Sequence, residues 1–187
     1  MSEPTIAVGR TGDPLLAGAL IVVCAFAVWF DLKEGRIPNV LTLAGLVAAL
    51  LLRLPGGGHA VATGLGGAGI ALGVGLPFFL VGGLGGGDVK LLAAVGAFLG
   101  TSRILDGLLA AALVGAGLGV AVMVARGATR QTMANLHTIL RTFGRGTFTG
   151  WRSGAENRAA VTLSTPGAIA VPYGIAIAAG ALVGWFA

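Results

Sequence analysis

Apolar residues in this chain come in six blocks, at 14–30, 37–52, 60–84, 89–100, 104–125 and 167–186, and most charged residues stand in the stretches between them. At about 1.5 Å of rise per residue, about 20 apolar residues in a helix cross the hydrocarbon core of a bilayer. The pattern therefore predicts an all-α fold, a polytopic helical bundle of about six transmembrane helices. The second and fourth blocks are short. They cross only if flanking residues snorkel or the bilayer thins, and a re-entrant course is the alternative.

Composition sharpens this reading. Of 187 residues, 56% are hydrophobic, 10% are charged and 34 are glycine, with a mean hydropathy of +0.93. A soluble domain is about 25% charged and about 7% glycine, so these side chains cannot cover a water-facing surface. One membrane domain over 1–187 is expected. Glycine pairs at the four-residue spacing, Gly69 and Gly73, Gly115 and Gly119, Gly180 and Gly184, are expected to bring helix backbones together. No internal repeat stands out.

Charge sets the orientation. Alternate loops place Lys33, Arg36, Lys90, Arg126, Arg130, Arg141, Arg145, Arg152 and Arg158 on one side, against Arg10, Arg53 and Arg103 on the other. The richer side is expected in the cytoplasm, with both termini outside. The net charge of +5 does not imply nucleic acid, because the basic residues form no stripe with interleaved aromatics. The stretch 126–165 reads as a basic cytoplasmic loop. Within it Met133, Leu136, Leu140 and Phe143 recur at helical steps, so an amphipathic helix is expected there, lying on anionic lipid or packed on the bundle. The first 13 residues balance Glu3, Arg10 and Asp13, so the first block reads as a retained helix and not a cleaved signal. Cys24 is the single cysteine and His59 and His137 are isolated; no metal site or cofactor is expected.

Seven carboxylates remain to carry chemistry. Glu3, Asp13 and Glu156 read as solvated charges, Asp106 as a helix-start charge, and Glu34 as a loop charge between Lys33 and Arg36. Asp31 and Asp88 differ. Asp31 follows a long uncharged run, just before Pro38, which suits the start of the next helix. Asp88 follows Gly85, Gly86 and Gly87 and precedes Lys90. The charge count puts both aspartates on the cytoplasmic side at similar depth. Two carboxylates held close in a poorly solvated site do not both ionise easily, which makes one a base and the other an acid. Such a pair can activate water against a peptide carbonyl and protonate the leaving nitrogen. The glycines before Asp88 are expected to leave unwound backbone free to approach an extended substrate, with Lys90 supporting. Paired carboxylates also suit an ion-binding transporter, and the basic loop suits a structural subunit of a secretion assembly.

Three stretches carry a resemblance: Asp31 with Arg36-Ile37-Pro38-Asn39, the run from Gly85 to Gly100, and Val171 to Leu182. Together they resemble the type IV prepilin peptidases, membrane aspartyl proteases of the Gly-x-Gly-Asp type, and in particular the small CpaA/TadV-like branch that serves Flp-type pili. The resemblance implies Asp31 and Asp88 as the catalytic pair, with Pro38, Asn39, Gly85, Gly86, Gly87 and Lys90 around them. It also implies a multi-pass protein of a bacterial inner membrane. Its substrate would be a prepilin or pseudopilin, anchored by an apolar stem and cut after a glycine that ends a short basic leader. Membrane lipid and pilus assembly components are the other implied partners. Larger members carry a cytoplasmic insertion with paired cysteines and methylate the new N-terminus, so peptidase activity alone is expected here.

Overall fold

The computed structural model describes residues 13–80, 83–125 and 173–187, and every regular element among them is helical. Helix α1 spans Pro14–Glu34, α2 Asn39–Arg53, α3 Gly57–Leu80, α4 Gly86–Ala125 and α5 Tyr173–Phe186, with a single 3-10 turn at Leu54–Gly56 between α2 and α3. The all-α bundle expected from the apolar blocks is what the structure shows. The basic stretch 126–165 and its expected amphipathic helix lie outside the described residues.

Local chemistry fixes the ends of α1. Asp13 accepts a hydrogen bond from the amide of Leu15 at 2.9 Å, and Pro14 occupies the first turn, where its missing N–H is no loss. Asp13 is thus a helix cap and not merely a solvated charge. The helix stops at Gly35, whose left-handed backbone (φ 62) returns its amide to the carbonyl of Asp31. Pro38 then stands in extended conformation just before α2.

The blocks at 89–100 and 104–125 are the two halves of α4, broken at Gly100 (φ 73). In an unbroken helix Leu99 and Gly107 would stand about 12 Å apart along the axis. Instead Leu99 Cδ1 lies 2.7 Å from the place a Cβ on Gly107 would take, so the chain turns back at Gly100. The turn is held from α2. Arg53, 2% exposed, donates from Nε to the carbonyl of Ala97 (2.9 Å) and from Nη2 to that of Phe98 (2.8 Å). Its Nη1 reaches the carbonyl of Ala60 and the hydroxyl of Thr63. The last carbonyls of a helix lack partners within it, and a guanidinium fork supplies several donors at once.

These contacts define two ends. At one, Asn39 of α2 meets Lys90 of α4, the ring of Phe79 on α3 lies by Gly86, and Gly174 of α5 meets Asp31. At the other are Arg53, the Gly100 break, and Arg103 donating to the carbonyl of Trp185. The chain therefore runs toward the first end in α1, away in α2, back in α3, away and back in the two halves of α4, and away again in α5. Among the described residues, Lys33, Arg36 and Lys90 stand at the first end, and Arg53 and Arg103 at the second.

The first half of α4 is the axis of the bundle. From Leu91 to Gly100 every residue is buried, which explains why this stretch carries apolar and small side chains on all faces. Backbones cross closely beside it. A Cβ on Gly67 would strike the carbonyl oxygen of Gly96, one on Gly96 that of Gly67, and one on Gly180 that of Gly107. Gly184 also packs on Gly107, and Gly115 on the ring of Tyr173. Gly69, Gly73 and Gly119 differ from expectation: a Cβ at any of them would meet nothing within 4 Å. Large apolar side chains such as Leu15, Phe26, Leu43, Leu109, Leu113 and Val124 point outward, as suits lipid. By length and composition Pro14–Glu34, Asn39–Leu80 and Gly86–Val122 suffice to cross a membrane, while Tyr173–Phe186 is shorter.

Candidate active site

At the first end the bundle opens into a cavity of about 590 Å³ lined by Asp31, by residues 34–39 and by residues 85–88. Each wall has a local cause. Asp31 stands in the last turn of α1 with Glu34 three residues on, a spacing that puts both on one helix face. The αL stop at Gly35 and the extended Pro38 turn the chain sharply into α2, which brings Arg36, Ile37 and Asn39 round the rim. Ile37 is buried, 7% exposed, and anchors this turn in the core.

The opposite wall is the start of α4. Gly86 and Gly87 are helical, and Asp88 lies in the first turn, so among the described residues the unwound backbone before Asp88 is residues 83–85. The first amides of a helix have no intrahelical partner, so helical glycines here still offer free donors. Asp88 Oδ2 accepts the amide of Gly85 at 3.1 Å, the reciprocal half of a capping box. A Cβ on Gly87 would lie 3.2 Å from both Cβ and the carbonyl oxygen of Ile37. The missing side chain lets the two walls meet.

The structure thus brings together all the residues singled out by sequence. Asp31 and Asp88 face one cavity, near enough to interact electrostatically. Pro38, Asn39, Gly85, Gly86 and Gly87 line it, and Lys90 joins its two walls through a 2.8 Å hydrogen bond from Nζ to Asn39 Oδ1. Glu34 and Arg36, read from sequence as turn charges, line it too. Sequence reasoning missed one contributor: the amide of Gly174, which donates to Asp31 Oδ2 at 2.7 Å. It acts through its backbone amide, so no side-chain pattern in the sequence marks it. Among the described residues no group of three or more His, Cys, Asp or Glu side chains is arranged to hold a metal ion.

A helical membrane bundle with two carboxylates opening on one terminal cleft defines the class. Residues 18–120 match the type IV leader peptidase family, a span that holds both Asp31 and Asp88, and the chain belongs to that family. It is also similar to the prepilin leader peptidase/N-methyltransferase of Aeromonas hydrophila, 36% identical over a 133-residue alignment that covers 65% of this chain and 46% of that protein. The chain therefore spans about half the length of that relative. No solved structure matches it.

Proposed function

We propose that this chain is a prepilin leader peptidase of aspartic type, with Asp31 and Asp88 as its catalytic pair. One observation carries the reading: the two carboxylates, 57 residues apart in sequence, open on one cavity, and each has one oxygen held by a backbone amide. In the proposed reaction the ionised aspartate takes a proton from a water as that water adds to the peptide carbonyl carbon. The protonated aspartate donates a hydrogen bond to the carbonyl oxygen, then gives its proton to the nitrogen as the C–N bond breaks. No other group is required for the balance. The substrate is a type IV prepilin or pseudopilin, of Flp type on the resemblance of the last helix, cut after the glycine that ends its leader. Lys33, Arg36 and Lys90 at the cavity end support a cytoplasmic position for the cut. The position of the aspartates at a bundle end, not midway along it, speaks against a transport relay.

The test is cleavage of a Flp-type prepilin by the purified full chain in lipid, read by product mass, with Asp31→Asn and Asp88→Asn alongside. Cleavage after the leader glycine, lost in both variants, is expected. Cleavage that survives in either variant would remove the aspartic mechanism, and a well-folded wild type inert toward several prepilins would remove the peptidase reading.

A further inference from the structure

The two aspartates are held in different ways. Asp88 takes its amide from Gly85, three residues back at the start of its own helix. Asp31 takes its amide from Gly174, 143 residues further along the chain. Gly174 is the second residue of α5, and a first-turn amide has no partner in its own helix, so its N–H is free for Asp31. A backbone amide only donates, which holds Oδ2 of Asp31 as an acceptor. Space is equally specific. A Cβ on Gly174 would lie 2.8 Å from Asp31 Oδ2, 3.0 Å from its Cβ and 3.2 Å from its Cγ. The donor and the missing side chain are independent features of one residue, and both act on the same carboxylate.

We infer that Gly174 is a positioning residue, whose amide fixes the Asp31 carboxylate so that Oδ2 stays an acceptor and Oδ1 is presented to water. The inference rests on the peptidase reading above. It makes the docking of α5 part of the active site: Gly180 and Gly184 seat α5 against Gly107 of α4, and its first turn then delivers the amide to α1.

Two variants of the full chain separate the features. Glycolic acid in place of Gly174 turns the amide into an ester, which removes the donor, adds no side chain, breaks no donor bond within α5 and leaves the Tyr173 carbonyl as a somewhat weaker acceptor. Gly174→Ala keeps the donor and adds the Cβ. With a synthetic prepilin segment of leader, glycine and apolar stem, both are expected to lower kcat roughly tenfold to a hundredfold. KM should stay close to wild type in both, and the thermal midpoint should stay close to wild type in the ester variant. By contrast Gly180→Ala, whose Cβ would lie 2.6 Å from that of Ala111, should lower the midpoint, as a purely structural glycine does. An ester variant with wild-type kcat overturns the inference, and so does one that raises KM at unchanged kcat, since the amide would then serve substrate. If the ester variant does not fold, unchanged kcat in Gly174→Ala overturns it. A wild type that cleaves nothing removes the peptidase reading and this inference together, whereas a cleaving wild type matched by its ester variant removes this inference alone.

Discussion

Arg53 and Gly100 form the turn at the end of the bundle opposite the cavity. The guanidinium donates to the carbonyls of Ala97 and Phe98, just before the break, and its Nη2 stands 3.1 Å from where a Cβ on Gly100 would be. The positive φ of Gly100 turns the backbone, and Arg53 satisfies the carbonyls that the turn exposes. The central half of α4 runs from this turn to Asp88 at the opposite end of the bundle.

Arg53→Met is expected to strand the Ala97 and Phe98 carbonyls in the core, at a cost of about 2 to 5 kcal/mol. Arg53→Lys keeps the charge but not the fork, and should recover only part of that loss. Thermal unfolding in detergent measures both, and a Met variant as stable as wild type would show that water reaches these carbonyls.

Helix glycines in the same apolar blocks should behave in opposite ways. Gly67→Ala and Gly96→Ala place a Cβ into the facing backbone. Each should cost about 1 to 3 kcal/mol, as overpacking does. Gly69→Ala and Gly73→Ala meet open space, and should stabilise α3 by up to about 1 kcal/mol through helix propensity. A loss at Gly69 or Gly73 comparable to that at Gly67, in the unfolding transition of the monomer, would contradict this division.

That contrast marks what the sequence can and cannot say. Apolar blocks make the helices legible, because lipid leaves little other choice of structure, and an aspartate at the edge of an uncharged run is conspicuous for the same reason. Spacing alone could not tell which glycines meet a neighbouring helix, since Gly67 and Gly69 differ only in the face they present. Arg53 read as an ordinary charge of an outer loop, yet it is buried against partners 44 and 45 residues away. The gap between the blocks ending at Gly100 and starting at Ile104 is legible from Thr101, Ser102 and Arg103, but the positive φ that turns the chain there leaves no mark on hydropathy. Gly174 acts through its amide, which every residue but proline possesses, so no side-chain pattern points to it.

Gly87→Val should impair both packing and cleavage. The atoms that crowd a Cβ at Gly87 are the Cβ, carbonyl oxygen and amide nitrogen of Ile37, which no change of rotamer can move. The turn carrying Pro38 and Asn39 must shift instead, and the cavity with it. A stability loss of about 1 to 3 kcal/mol is expected, together with slower cleavage. Ile37→Ala should not rescue either, since it leaves the crowding atoms in place. Rescue by that second substitution would place the contact in the Ile37 side chain and refute the backbone argument.

The aspartate pair should fail as a unit. If one carboxylate must be ionised while its partner carries the proton, Asp31→Asn or Asp88→Asn removes one half of the pair, and neither residue retains a function once the other is gone. Rate losses in the single variants are then not additive: the double variant should be no slower than the slower single one. Single-turnover cleavage of a prepilin segment measures this, with thermal midpoints as the check that each variant is folded. Two independent losses that multiply in the double variant would mean that each carboxylate acts alone, one on water and one elsewhere, and would end the shared-proton mechanism while leaving both residues in the active site.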